Sequence, residues 1–99
     1  MLESALENKI KTFLIRGGAL VYKLSFLGMK GAPDRMAILE NGKILFFEIK
    51  RPGLKKSGLS PKQKKLREQW LVRGVEAYVI DDFEEFKEIM VKEHGFLSI

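Results

Sequence analysis

Ninety-nine residues, 45% hydrophobic and 10% aromatic, predict one folded domain with a modest core, too small for two. Cysteine is absent and histidine occurs once, which excludes disulfides, thiolate chemistry and finger-type zinc sites. No apolar run approaches a membrane-spanning length and Met1-Leu2-Glu3-Ser4 does not open a signal peptide, so a cytosolic protein is expected.

The net charge of +5 is unevenly spread. Residues 1–75 carry sixteen Lys and Arg against six Asp and Glu, whereas residues 76–99 carry two against seven. Eight basic residues and no acidic one fall between Lys50 and Arg67. Such asymmetry suits a polyanion that approaches from one side, although charge runs are also ordinary solvated surface.

Leu2, Leu6, Ile10, Phe13 and Leu14 have the spacing of an amphipathic helix over 2–15, closed by Gly17-Gly18. Ala19 to Leu24 reads as a strand and Leu27 to Ala32 as a loop. Arg35–Leu39 and Ile44–Lys50 form a hairpin around Glu40-Asn41-Gly42-Lys43, since Asn-Gly between apolar runs favours a tight turn. After a lysine-rich loop, Ser60-Pro61-Lys62-Gln63 opens a second helix that runs to about Arg73. Serine caps it, proline takes the first helical position, and glutamine completes a capping box. Val75–Ile80 is a fourth strand, and Asp81-Asp82 lead into a last helix, Phe83–His94. The predicted class is α/β, in the order α-β-β-β-α-β-α. Trp70 is expected in the core or an interface, and His94 as a partner of its helix's C-terminal dipole.

Chemistry concentrates on the hairpin. Thirteen residues separate Asp34 from Glu48, and Glu48-Ile49-Lys50 directly follows the apolar run Ile44–Phe47. Two carboxylates with a lysine beside them are what cation-assisted phosphodiester hydrolysis needs, and Mg²⁺ is satisfied by few oxygen ligands because it keeps several waters. A two-residue turn pairs Glu40 with Lys43, which sets Arg35 against Glu48 and Asp34 against Ile49. Strict alternation then places Asp34 on the opposite face from Glu48, so the pair requires a bend at Pro33-Asp34. That bend would also turn the Ile49 carbonyl toward the cation. Glu-x-Lys alone is common surface decoration, and only its combination with Pro33-Asp34 is specific.

Taken together, Gly31-Ala32-Pro33-Asp34-Arg35, Phe47-Glu48-Ile49-Lys50-Arg51-Pro52-Gly53 and Leu59-Ser60-Pro61-Lys62-Gln63 resemble the VRR-NUC domain of the PD-(D/E)XK nuclease superfamily. The first helix closed by Gly18, with Val21-Tyr22-Lys23 after it, extends the likeness over nearly the whole chain. The resemblance implies a restriction-endonuclease-like core, Mg²⁺ or Mn²⁺ dependence and structured DNA as substrate. It further implies a homodimer organised like a Holliday-junction resolvase. On this basis Asp34, Glu48 and the Ile49 carbonyl hold the metal and Lys50 serves the water or the transition state. A glutamate of the first helix, Glu7 in preference to Glu3, joins the metal, and Gln63 stands near the active centre. Lys23, Ser25, Arg51, Lys55, Lys56 and Lys62 are the candidate DNA contacts, reading backbone and shape, not bases. The rival expectations are a nuclease subunit for flaps or nicks that needs a partner, a DNA-binding module without catalysis, and an α/β scaffold for other proteins. The last leaves the basic segment 50–67 unexplained.

Overall fold

The computed structural model describes residues 3–25, 31–54 and 58–96. Helix α1 (Glu3–Arg16) is followed by β1 (Leu20–Lys23), β2 (Arg35–Ile38), β3 (Ile44–Ile49), α2 (Pro61–Leu71), β4 (Ala77–Ile80) and α3 (Phe83–His94). This is the expected α-β-β-β-α-β-α order. Leu2, Leu97 and most of the expected loop before Ala32 lie outside the described residues.

The strands lie side by side in chain order. β1, β2 and β3 form an antiparallel meander, and β4 joins β3 in parallel. The parallel pair needs a crossover, and α2 supplies it. Period-two alternation along β3 gives the sheet two unlike faces. Leu45, Phe47 and Ile49 are buried with Ala37 and Ile80 against Leu6, Ile10 and Leu14 of α1 and Phe86 and Met90 of α3. Helix α2 lies on the other face, where Trp70 meets Phe46 edge-on at 5.1 Å.

Helix α2 starts as its sequence dictates. The Ser60 side chain accepts from the Gln63 N–H at 3.1 Å, and Gln63 Oε1 accepts from the Ser60 N–H at 2.9 Å. None of its residues is fully buried, so capping and the Phe46–Trp70 contact contribute much of what fixes it. The helix ends at Leu71, two residues short of the expected Arg73, and a turn leads to Gly74. His94 does end α3, but its side chain turns inward, 1% exposed, with Nε2 3.1 Å from the Tyr78 hydroxyl.

The hairpin register differs from the two-residue expectation. Arg35 pairs with Phe47, Met36 with Phe46, Ala37 with Leu45 and Ile38 with Ile44. The Leu39 N–H then donates to the Lys43 carbonyl at 2.8 Å, which leaves a three-residue loop, Glu40-Asn41-Gly42. Asn41 Oδ1 accepts from the Lys43 N–H, and Gly42 takes the left-handed position at φ 86°. A three-residue hairpin loop with glycine in that position is the next favoured solution after the two-residue turns. The extra loop residue shifts every partner on β3 by one.

Candidate active site

The shift brings the carboxylates together. One step past the Arg35–Phe47 pair the chain brings Asp34 level with Glu48, near enough for its charge to act on the Glu48 carboxyl. Asp34 lies just before β2, and its carbonyl accepts from the Leu24 N–H at 2.8 Å. The chain does bend at Asp34, just before β2, as the expectation required, while the register that accompanies it is shifted by one from the expected one. Pro33 is buried, and Gly31 (φ 92°) lies so close to α2 that a Cβ there would come within 3.2 Å of the Gln63 nitrogen. The glycine lets the segment before Asp34 lie directly on the capped start of α2.

Glu48 and Lys50 alternate onto one face at the end of β3, with Lys50 Nζ 3.7 Å from Glu48 Oε2 and both side chains less than one-fifth exposed. Burial, followed by the negative charge of Asp34, holds the Glu48 carboxyl above the usual glutamate range; Lys50 and Arg35 pull the other way without cancelling the effect. A carboxylate pair that repels in this way is the setting in which a divalent cation gains most. Both groups offer hard oxygen donors suited to Mg²⁺ or Mn²⁺. The residues therefore fit a small hard cation between Asp34 and Glu48. Among the described residues no three acidic or imidazole groups converge closely enough to form a complete protein cage. An ion there would keep much of its hydration. The Ile49 side chain is buried in the core, so that residue has only its carbonyl to offer.

Arg35 has a larger part than sequence reasoning gave it. Its Nη2 donates to Glu7 Oε1 at 2.7 Å, and its Nη1 lies 3.0 Å from Asp34 Oδ2. Burial opposes the arginine's charge, but the hydrogen bond to Glu7 and the fields of Asp34 and Glu7 outweigh it, so its pKa is held above the ordinary arginine value. Glu7 thus reaches the site with an arginine between it and Asp34. A signal for this was present in the sequence, because Arg35 directly follows Asp34 and is the nearest cation to it along the chain.

Gln63 lines a small pocket of about 20 Å³ together with Glu48, Gly31, Pro33 and Arg67. It combines the two expected roles, helix cap and neighbour of the site. Arg51 and Lys62 are exposed on segments that flank the Glu48–Lys50 strand end, and Ser25 is exposed just past β1. Lys23 pairs with Arg35 and so belongs to the α1 face, at the same end of the sheet. Lys55 and Lys56 lie outside the described residues. A cleft of about 760 Å³ lies elsewhere, between α1, α3 and the hairpin loop, and is lined by Phe13, Phe83 and Phe96. Of the two carboxylates Asp34 is half exposed, whereas Glu48 is largely covered. No helix among the described residues is long and apolar enough to cross a membrane.

No protein-family model matches the chain. It is 33% identical over 79 residues to "Putative nuclease p44" of Acyrthosiphon pisum secondary endosymbiont phage 1, an alignment that covers 80% of this chain and 82% of that protein. A solved structure described as a VRR_NUC domain superposes with a TM-score of 0.83 at 31% identity, covering 92% of this chain and 96% of the other. Likeness at this level, over most of both chains in each comparison, shows that the chain belongs to the VRR-NUC nuclease family.

Proposed function

We propose that the protein is a metal-dependent, structure-selective DNA endonuclease that cuts branched DNA as a homodimer in the cytosol. The observation that carries the reading is that Lys50 Nζ lies 3.7 Å from Glu48 Oε2 and Asp34 lies near enough to act on the Glu48 carboxyl, beside the capped start of α2. Asp34, Glu48 and the Ile49 carbonyl would hold Mg²⁺ or Mn²⁺. The bound ion supplies Lewis-acid polarisation of the phosphate and makes water a better nucleophile at neutral pH. Lys50 orients or helps deprotonate the attacking water and offsets the negative charge that grows on the phosphate in the transition state. Gln63 can donate its amide N–H to the same phosphate while its Oε1 remains on the helix cap. Arg51, Lys55, Lys56 and Lys62, with Lys23 and Ser25 farther out, bind the DNA backbone, which makes affinity fall steeply with salt.

The dimer is supported by the sheet itself. β1 is an edge strand, and its Leu20 and Tyr22 are 56% and 44% exposed. Exposed apolar residues on an uncovered strand edge invite a second copy. A two-fold dimer would present two sites to strands of opposite polarity, as symmetric cutting of a junction requires.

The test is cleavage of a labelled four-way junction, a 5′ flap and a linear duplex in Mg²⁺, Mn²⁺ or EDTA. Wild type is compared with Asp34→Ala and Lys50→Ala. Paired nicking of the junction that needs metal, and that falls by about 10²–10⁴ in each variant while DNA binding persists, is the expected result. Binding without cleavage in any metal would overturn the reading in favour of a partner-dependent subunit or a binding module.

A further inference from the structure

The cleft between α1, α3 and the hairpin loop takes no part in the chemistry above. Its volume, about 760 Å³, is that of a site for a small ligand or a few residues of peptide. Its walls are sorted by charge. Helices α1 and α3 carry six glutamates, Glu3, Glu7, Glu84, Glu85, Glu88 and Glu93, and none of them lines it. The same two helices give it three cations, Lys9, Arg16 and Lys87. The sorting runs against the composition of α3, where four glutamates outnumber two lysines. Among the described residues the one carboxylate on the cleft is Glu40 of the hairpin loop, whose side chain lies back against Gly18.

An apolar notch lies between the cations. Phe83 stands edge-on to Phe13 at 5.7 Å and 89°, and Phe96 tilts over Phe13 at 5.3 Å, where Gly17 leaves room for its ring. Lys9 Nζ covers one face of the Phe83 ring, 5.4 Å from its centroid. Rings at right angles, one of them already faced by an ammonium, form a recess for a single side chain and not a platform on which successive bases stack. Lys9 and Arg16 are seven residues apart, about 10 Å along the helix. About three residues of extended peptide span the same distance.

We infer that this cleft is a docking site for a short acidic segment of another protein, with an aromatic side chain seated among Phe13, Phe83 and Phe96 and carboxylates on Lys9 and Arg16. Charge complementarity selects the occupant, because cations around an apolar recess favour an acidic segment and repel a basic one. The hairpin loop that closes the cleft lies at the opposite end of β2 from Asp34. An occupant here would fasten the protein to its partner and leave the carboxylate site free.

The experiment is fluorescence anisotropy at low salt with the full chain and a labelled, acetylated octapeptide that holds two aspartates three positions apart and a phenylalanine between them. Saturable binding is expected, weakened about tenfold by Lys9→Glu or Arg16→Glu. Both side chains are exposed, so the variants should fold. Lys11→Glu, at an exposed position of α1 off the cleft, makes the same change in net charge and should leave binding unchanged. Replacing the peptide's phenylalanine by alanine should abolish it. Equal weakening by Lys11→Glu would reduce the effect to bulk charge and overturn the inference. So would binding that survives loss of the phenylalanine, or no saturation up to about 1 mM peptide. Three other occupants would overturn it as well. Displacement of the peptide by an equal concentration of a short single DNA strand would assign the cleft to nucleic acid. A dimer in sedimentation that Arg16→Glu dissociates would assign it to a second copy. Binding that appears only after deletion of residues 97–99 would assign it to the chain's own C-terminal end.

Discussion

On the face of the sheet that carries α1 and α3, Leu45, Phe47 and Ala37 are sealed under Leu6, Ile10, Leu14, Phe86 and Met90. The face that carries α2 offers Glu48, Lys50 and Asp34, and α2 itself buries no residue completely. One strand serves both, because Leu45, Phe47 and Ile49 of β3 face the core while Glu48, and Lys50 just past its end, turn to the other side. The difference teaches how a small chain keeps a charged site: the larger buried layer lies on one side, so that one end of the other, beside the buried Ala77 and Val79, can hold self-repelling carboxylates. The carboxylates would be far more costly in the dry layer, where an unpaired charge has no water.

The sharpest way to break this comparison is to truncate one aromatic on each face. Phe47→Ala should cost about 3–5 kcal/mol in urea denaturation. Phe46→Ala, which loses a half-buried ring and its edge-on contact with Trp70, should cost only about 1–2 kcal/mol. Equal losses would show that the α2 face carries as much of the fold as the other.

Next in size is the helix cap. Ser60→Ala removes the acceptor for the Gln63 N–H, for a loss of about 1 kcal/mol. Because the segment before Asp34 rests on this same turn of α2, the variant should lose cleavage beyond what its folded fraction explains, as measured at a temperature where it is fully folded.

The smallest effect has the opposite sign. The Glu48 carboxyl is raised above the ordinary value of 4.5, first by burial and then by Asp34. A carboxyl whose folded pKa is raised favours the fold when protonated; that contribution is complete below the unfolded pKa and is lost as pH rises through the folded one. In EDTA at pH 7, Glu48→Gln should therefore be slightly more stable than wild type, although inactive. The advantage should vanish below the ordinary glutamate range. A destabilised Glu48→Gln at neutral pH would show that Lys50 and Arg35 overcompensate the desolvation.

Much of this was legible in the sequence, and for physical reasons. Leu6, Ile10 and Leu14 recur at helical spacing and are all buried. Ser60-Pro61-Lys62-Gln63 has one stable solution, a capped helix start, and both reciprocal bonds are present. The register was less accessible. Asn41-Gly42 suits a two-residue turn and a three-residue loop alike, because each needs a residue with positive φ, and the choice depends on which pairing fills the core. With the observed pairing Ala37 meets Leu45 on the buried face and Asp34 comes level with Glu48. The contacts of Arg35 with Glu7 and Asp34 were hidden for another reason. Alternation assigns a side chain to a face, but it does not say how far a long arginine reaches.

The loop at Glu40-Asn41-Gly42 lies seven residues from Asp34, a separation of roughly 23 Å along an extended strand. It touches none of the candidate catalytic groups, yet its length sets which residue of β3 each residue of β2 faces, up to Arg35 beside Asp34. Loop length here acts as a ruler for chemistry at the far end of the hairpin. Loops of this kind commonly tolerate insertion and deletion, but a one-residue change in this one would have to be answered by a compensating bulge elsewhere in the hairpin. Any attempt to graft the site onto another scaffold must therefore carry its turn along with its catalytic residues.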